Sequence, residues 1–260
     1  ARQLKIYTFS NTILGIPGPK LPCIDDANFE ERVLEISRDA SFYRVVKKGK
    51  VVDFWKDLEE AKKEYPVERD WRKFVVGYLQ RAGIRRTQSE YDRESAHFTV
   101  AVRVSFSEFP ILFPYPGTAA TKYLEHKGWF DGNFDKLHAS YQNKSPLTCF
   151  TVKEKSVQLN LALLVCFCTL LSGSRSRILN WLARPITWLC VNHLSSIDHP
   201  WATWMYQHLY SFAKSYIHTK RIYPMRRTFR EKVKFYWEML VLDYWKYRKR
   251  RIHLRSERPA

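Results

Sequence analysis

The feature that most constrains the fold is a fifteen-residue apolar run at 157–171, in which only Gln158, Asn160 and Thr169 are polar. A helix that crosses a bilayer needs about 20 predominantly apolar residues, so this run is short for a full span. It predicts a helix shielded from water, which is either membrane-inserted (short, re-entrant or interfacial) or buried in a soluble core. Apolar residues at 178–183 would extend a membrane-facing region.

Positive charge is the second constraint. The chain has 44 Lys+Arg against 26 Asp+Glu, a formal net charge of +18. Residues 220–260 hold 14 basic and 4 acidic side chains and therefore carry +10 of that charge. This balance indicates an anionic partner, which would be acidic lipid, nucleic acid or an acidic protein. With 15% aromatic residues and nine glycines, the composition is not typical of a disordered protein.

Aromatic residues are interleaved with basic ones near the carboxyl end. Residues 229–247 are predicted to form an amphipathic helix with one apolar face. Trp and Tyr prefer the level of lipid headgroups, and Lys and Arg attract acidic lipid, so the segment is a candidate phospholipid-binding element. The candidate lipid-binding residues are Arg226, Arg227, Arg230, Lys232, Trp237, Trp245, Lys246 and Arg248. The same composition would suit RNA, through phosphate contacts and base stacking. A solvated helix that only keeps the protein soluble is the third interpretation.

The sequence predicts an α+β fold divided into four segments. Residues 1–24 contain several Pro and Gly and form an extended arm. Residues 25–145 form a small mixed α/β domain, and residues 146–223 form a membrane-associated segment that contains the apolar helix. Residues 224–260 form a basic, aromatic carboxyl-terminal helix and tail.

Local patterns predict the individual elements. Helices are expected at 25–37, 54–65, 69–82 and 118–126, and a hairpin across 42–52. Apolar and polar residues alternate at 97–106, which predicts the clearest strand. The apolar run at 187–191 predicts a buried strand. Pro200 is predicted to lie in the first turn of the next helix.

The stretch 192–200 reads Asn-His-Leu-Ser-Ser-Ile-Asp-His-Pro. An apolar run precedes it, and Trp-Ala-Thr follows it at 201–203. The pattern Asn-His-x-Ser-x-x-Asp-x-Pro resembles the catalytic block of the glycerolipid acyltransferase family, in its tafazzin-like branch. The resemblance spans about 157–223, and the segment 146–223 is accordingly predicted to be a truncated acyltransferase-like segment.

The resemblance implies that His193 and Asp198 are the catalytic pair. Histidine suits the general base that removes a proton from a lipid hydroxyl, and a nearby carboxylate would orient the imidazole. The family's second block, a Gly-containing segment that grips the acceptor, has no counterpart here, since no glycine follows Asp198. Without that cradle the substrate would not be positioned, so the segment is predicted to be degenerate. In that case His193 would cap a turn and Asp198 would cap the next helix.

Cysteines and known motifs narrow the chemistry further. The five cysteines form no CxxC pair and no metal-ligand spacing, which predicts free thiols in a reducing compartment. P-loop, GxGxxG, HExxH and GxSxG motifs are missing from the sequence, and no cofactor or metal is expected.

These patterns favour a non-catalytic accessory subunit of a mitochondrial inner-membrane complex, of the respiratory-chain or ATP-synthase type. Its expected partners are other subunits and an anionic phospholipid such as cardiolipin. Two alternatives stay open: an active phospholipid acyltransferase or transacylase using His193 and Asp198, and a mitochondrial ribosomal protein that binds RNA. The basic first residues, with no acidic side chain before Asp25, fit a mature terminus left by a transit peptide and equally a trimmed sequence.

Overall fold

The computed structural model describes residues 9–43, 46–47, 50–51, 60, 62–134, 144–174, 176–222 and 228–238. These residues are mostly helical, with little β-structure, which is compatible with the predicted α+β class. The helices are α1 (Phe29–Tyr43), α2 (Glu68–Arg81), α3 (Gln88–Val102), α4 (Ala119–His126), α5 (Val152–Ser172), α6 (Arg177–Asn192), α7 (Pro200–Ile217) and α8 (Phe229–Trp237). A short 3₁₀ helix covers Leu194–Ser196, and a π-helical turn covers His218–Ile222.

Within the described residues the strands form two pairs. Strand β1 (Phe9–Asn11) pairs in parallel with β4 (Phe106–Glu108), and Phe9 lies opposite Phe106. Strands β2 (Val46–Lys47) and β3 (Lys50–Val51) pair antiparallel, which confirms strand pairing within the hairpin predicted at 42–52, although residues 42–43 belong to α1. The part of the predicted arm that is described is extended, but it is integrated into the fold, since Leu14 is fully buried.

The chain divides into two compact units that are each assembled from separated stretches. The first contains Ala1–Thr12, His97–Pro110 and Leu159–Ala260, and the second contains Ile13–Ala96 and Ile111–Gln158. This division does not coincide with the predicted linear order of segments, whose main boundary was placed at 145/146.

The second unit has a core built on α1 and α2. Phe29, Val33, Trp71, Val75 and Leu79 are among its buried side chains. Helix α2 confirms the helix predicted at 69–82. Helix α4 confirms the helix predicted at 118–126, with the Oγ1 of Thr118 accepting from the Thr121 amide at 3.2 Å as its cap. The helix predicted at 25–37 begins later, at Phe29, and continues to Tyr43. The helix predicted at 54–65 lies largely outside the described residues.

Helix α5 has residues 152–158 in the second unit and residues 159–172 in the first, and it confirms that the apolar run is helical. The helix has 21 residues and contains an 18-residue stretch with a mean hydropathy of 1.5, so it is long and apolar enough to cross a membrane. However, 83% of that stretch is buried inside the protein. Leu161, Leu164 and Val165 are completely buried. Most of this apolar stretch is therefore covered by other parts of the protein, as in a buried core helix.

The strand predicted at 97–106 is wrong, because residues 97–102 form the last turns of α3. The side chains of Asp92, Ala96, Thr99 and Val100 are buried, at helical spacing, whereas Phe98 is 71% exposed. The alternation of apolar residues was therefore coincidental. Burial of the α3 face outweighs the local β-propensity of Val and Phe, which depends strongly on context. Only Phe106 from the predicted range lies in a strand.

The strand predicted at 187–191 is also wrong, because these residues belong to α6. Ala183, Thr187, Cys190 and Val191 are buried at spacings of three and four residues, as one face of a helix. A five-residue apolar run cannot distinguish a buried strand from part of a buried helix. The segment 192–200 consequently joins two helices and does not lie at a strand-to-helix turn.

Candidate functional site

The segment that carries the family resemblance is a tight connection between α6 and α7. Helix α6 ends at Asn192, the 3₁₀ helix Leu194–Ser196 follows, and α7 begins at Pro200. Pro200 occupies the first turn of α7, which confirms its predicted position. Here a proline loses no helical hydrogen bond, because the first amides of a helix have no intrahelical acceptor.

A buried asparagine on α5 holds this connection in place. The Nδ2 of Asn160 donates to the carbonyl oxygens of Ser195 at 3.0 Å and Ile197 at 2.9 Å. The Oγ1 of Thr203 donates to the Oδ1 of Asn160 at 3.3 Å. One side chain therefore satisfies two carbonyls and ties the connection to α5 and α7.

Further hydrogen bonds stabilise the connection between α6 and α7. The hydroxyl of buried Ser195 donates to the carbonyl of Val191 at 2.5 Å, so it bonds back to α6. The hydroxyl of Tyr206 donates to the carbonyl of Leu194 at 3.0 Å. The side chain of Asn192 contacts the Nε2 of His97 at 3.3 Å. Ser195 and Asn192, two fixed positions of the resemblance, thus have structural contacts here.

His193 and Asp198, the predicted catalytic pair, are both exposed. Among the described residues no hydrogen bond or ion pair joins the two side chains. The ring of His193 packs instead against the ring of Trp188, with centroids 4.6 Å apart. The connection displays both side chains at the surface without assembling the base and its orienting carboxylate.

The helix-capping roles also differ from the prediction. His199 caps α7, with its Nδ1 accepting from the amide of Trp201 at 3.2 Å, so the expectation that Asp198 is this cap was wrong. His193 ends α6 and precedes the 3₁₀ helix. Its backbone amide donates to the carbonyl of Leu189 and its carbonyl accepts from the amide of Ser196, both at 3.0 Å, so it lies at the expected turn. Its imidazole makes no capping hydrogen bond.

The surface of α6 carries a stripe of exposed apolar side chains. Ile178, Trp181, Pro185 and Trp188 recur at spacings of three and four residues, and all four are exposed. Trp181 is 73% exposed, an unusual state for so large an apolar side chain. We call these four residues the α6 stripe.

Helix α7 carries a second stripe. Trp201, Trp204, Met205, Phe212 and Tyr216 are exposed, and Trp201 is 61% accessible. Ala202, Tyr206, Tyr210, Ala213 and Ile217 form the buried face of the same helix. We call the exposed set the α7 stripe. Both helices thus have apolar residues on their inner and their outer faces, which is not the pattern of an ordinary surface helix.

Carboxylates are nearly missing from this part of the sequence. Between Glu154 and Glu231 the only acidic residue is Asp198. Arg177 and Arg184, by contrast, lie exposed on α6 beside its stripe. This scarcity of carboxylates is visible in the sequence, although the largest excess of basic residues lies further on, at 220–260.

The predicted lipid-binding residues at the carboxyl end are described only in part. Phe229, Val233 and Trp237 recur every four residues on α8 and are exposed, with Arg230 and Lys234 exposed beside them. The backbone of Lys232 is part of α8, but the structure does not describe its side chain. Arg226, Arg227, Trp245, Lys246 and Arg248 also lie outside them.

The described cysteines are free thiols, and Cys166, Cys168 and Cys190 are buried. Burial raises the pKa of Cys166 to about 12. The hydrogen bond with Cys190, together with burial, raises the pKa of Cys168 well above its ordinary value. Because a raised pKa keeps a thiol protonated near neutral pH, Cys166 and Cys168 are poor nucleophiles. No group of three or more His, Cys, Asp or Glu side chains within the described part of the chain could hold a metal ion.

Comparison with known protein families, with curated protein sequences and with solved structures finds no match to this chain.

Proposed function

We propose that the protein is a non-catalytic accessory subunit of a mitochondrial inner-membrane complex that contacts anionic phospholipid through the α6 and α7 stripes. The observation that carries this proposal is the run of exposed tryptophans, Trp181, Trp188 and Trp201, in a stretch whose only carboxylate is Asp198. The complex would be of the respiratory-chain or ATP-synthase type.

The chemistry of the two stripes favours a lipid surface. Exposed contiguous apolar residues mark interaction sites in folded proteins. Tryptophan is enriched where one side of a ring meets hydrocarbon and the other meets polar headgroups. Arg177 and Arg184 would meet lipid phosphates, and the scarcity of carboxylates lowers repulsion from an acidic membrane. Cardiolipin is the anionic lipid that the proposed location would supply.

In this proposal the exposed residues of the protein contact the surface of the membrane. Helix α5 remains in the protein core, consistent with its burial. The basic residues at 226–248 and the exposed stripe of α8 would add a second, electrostatic contact with the same lipid surface. The sequence suggested membrane contact by the apolar run at 157–171. In this proposal the contact is made instead by exposed residues of α6 and α7, which follow that run.

The proposal of a non-catalytic role is supported by the connection between α6 and α7. His193 and Asp198 are exposed, whereas the hydroxyl of Ser195 donates to the carbonyl of Val191 in α6 and the side chain of Asn192 contacts His97. A general base needs a partner and a positioned substrate for efficient proton transfer. A connection that displays the two side chains separately is better suited to a structural role.

The direct test is co-sedimentation of the purified full chain with phosphatidylcholine vesicles that contain or lack cardiolipin. The native chain should bind the cardiolipin vesicles. The triple variant Trp181→Ser, Trp188→Ser, Trp201→Ser should bind about 100-fold more weakly, at about 1 kcal/mol per tryptophan. A matched control, Ile13→Ser, Val67→Ser, Tyr115→Ser, removes three exposed side chains from the second unit. Equal loss in both triple variants would refute the assignment of the stripes.

Membership of a complex needs a second experiment on native membranes. Carbonate extraction followed by purification in mild detergent should recover the chain with other subunits and bound anionic phospholipid. Recovery with RNA, and RNA binding that weakens steeply with salt, would favour the ribosomal alternative. Acyl exchange that disappears in His193→Ala would favour the acyltransferase alternative.

A further inference from the structure

In the second unit, two helices hold an extended stretch of backbone through polar side chains. Gln88 and Asp92 come from α3, one turn apart, and Glu154 and Gln158 come from α5, also one turn apart. The amide of Gly15 donates to the Oδ1 of Asp92 at 2.8 Å. We call residues 14–20 the clamped segment.

Gln88 and Glu154 make three further bonds to the clamped segment. The Nε2 of Gln88 donates to the carbonyl of Ile16 at 2.9 Å, and its Oε1 accepts from the amide of Gly18 at 3.2 Å. The Nζ of Lys20 donates to Glu154 at 3.1 Å. Polar side chains of α3 and α5 thus hold the clamped segment.

One corner of this arrangement places the carboxyl group of Asp92 beside the side-chain amide of Gln158. Asp92 is 3% exposed and Gln158 is fully buried. The Oδ2 of Asp92 and both polar atoms of the Gln158 amide form no hydrogen bond of good geometry among the described residues. A Cβ added to Gly15 would lie 3.2 Å from that amide. Because the Gly15 amide also donates to Asp92, the Gln158 amide lies beside the carboxyl group.

The charges around Asp92 do not stabilise a carboxylate. Glu154 faces it from α5 and repels negative charge, while Lys20 from the clamped segment is paired with Glu154. Tyr91, next to Asp92 on α3, donates its hydroxyl to the carbonyl of Pro19. A buried carboxylate without a cation is unfavourable, and such groups bind a proton instead. A carboxylic acid has one O–H donor, which a nearby amide oxygen can accept.

We propose that Asp92 is a proton-binding site, in which a carboxylic acid Oδ2–H donates to the Oε1 of Gln158, and that loss of this proton loosens the clamped segment. The proton passes to solvent water on release and returns from it on acidification. One proton would join the Oδ2 of Asp92 to the Oε1 of Gln158, two oxygens without a well-formed partner. A carboxylate would instead need the Nε2 of Gln158 as its donor, and burial without a cation, with Glu154 nearby, favours the acid. Burial, opposed by interactions of the carboxyl group with the Gly15 amide, Gln88 and the Gln158 amide, raises the pKa of Asp92 to about 6, so the switch would operate near neutral pH.

Infrared difference spectra of the full chain at pH 5 and pH 8 test the protonation directly. The native protein should show a carboxylic-acid carbonyl band at pH 5 that disappears at pH 8 and is missing from Asp92→Asn. Asparagine copies the neutral acid, because its Nδ2 can donate to Gln158 while its Oδ1 accepts from Gly15. Asp70→Asn, a change at an exposed carboxylate on α2, is the matched control and should keep the band.

Hydrogen exchange of residues 14–20 tests the mechanical consequence. After correction for the intrinsic pH dependence of amide exchange, the Gly15 amide of the native chain should exchange at least several-fold faster at pH 8 than at pH 5. Asp92→Asn should show no such increase. If Asp92→Asn fails to fold, Gln158→Met serves instead: removal of the acceptor should shift the midpoint of the carbonyl band to lower pH.

Three results would overturn the proposal. These are a carboxylate band from Asp92 that persists at pH 5, identical pH profiles for the native chain and Asp92→Asn, and protection of Gly15 that depends on added sodium or potassium at constant pH. The last result would mean that a cation occupies the corner in place of the proton.

Discussion

The side-chain amide of Asn160 donates to the backbone carbonyl of Ser195 at 3.0 Å, and the same nitrogen reaches the carbonyl of Ile197 at 2.9 Å. These two bonds join the core helix α5 to the connection between α6 and α7. They explain how a polar residue is accommodated in the apolar run at 157–171: its side chain satisfies backbone groups that would otherwise be buried without partners.

Replacement of Asn160 by Leu should therefore be strongly destabilising. Two carbonyls lose their donor, and the expected decrease in the free energy of unfolding is about 2–4 kcal/mol. Urea denaturation of the full chain measures it. Asn192→Ala, which removes one 3.3 Å contact with His97, is the control and should cost about 1 kcal/mol or less. Equal effects would show that Asn160 does not organise the connection.

Removal of positive charge beside the α6 stripe should weaken binding to acidic vesicles selectively. Each basic side chain near an anionic surface contributes about 1 kcal/mol, so Arg177→Gln with Arg184→Gln should lower affinity about 30-fold at low salt. Vesicle titration at two salt concentrations checks this. The control pair, Lys63→Gln with Arg69→Gln, alters exposed charges of the second unit and should change affinity little.

Asp198 offers a change of the opposite sign. As the only carboxylate between Glu154 and Glu231, it should repel an acidic bilayer. Asp198→Asn should therefore raise affinity for cardiolipin vesicles about fivefold, for about 1 kcal/mol. Asp70→Asn is the control. If Asp198 instead orients a catalytic histidine, the same variant would abolish acyl exchange.

His193→Ala should leave both stability and lipid composition unaffected. The imidazole is exposed and packs against Trp188, so the change in the free energy of unfolding should stay within about 0.5 kcal/mol. Mass spectrometry of phospholipids incubated with the native chain or the variant measures acyl exchange. If the native chain exchanges acyl groups and the variant does not, the result would favour the enzymatic alternative.

The pH dependence of unfolding follows from Asp92. Its folded-state pKa of about 6 exceeds the ordinary value of 3.8, so the folded state binds the proton more tightly than the unfolded state. The resulting stabilisation is complete below pH 3.8 and is lost as pH rises through 6. It amounts to about 3 kcal/mol, at about 1.4 kcal/mol per pH unit. Denaturation between pH 4 and 8 should show this decline in the native chain relative to Asp92→Asn.

Helices could be predicted where apolar residues recur at helical spacing and the residue that begins the helix is recognisable. The helices at 69–82 and 118–126 and the position of Pro200 are confirmed because caps and periodicity act locally. The strands at 97–106 and 187–191 failed because short apolar patterns fit either structure. In each case the decision depended on which side chains neighbouring elements bury.

The candidate site was only partly accessible from the sequence. Ile178, Trp181, Pro185 and Trp188 have helical spacing, and the scarcity of acidic residues around them is plain in the sequence. Both signals could have identified α6 as an interaction surface. For His193 and Asp198 the sequence supplied suitable chemistry, but their spacing could not establish whether the two side chains meet, and among the described residues no hydrogen bond joins them.

By itself, the sequence determined the charge distribution, the positions of the apolar runs and the local chemistry of the 192–200 stretch, because these depend only on residue order. Tertiary structure decided which apolar helix is shielded from water. Helix α5 and helix α6 are both rich in apolar residues, yet α5 is buried on most sides and α6 presents Trp181 and Trp188 to solvent. The physical reason is that burial depends on contacts between residues far apart in the chain, such as Asn160 and Ser195, which no local pattern encodes.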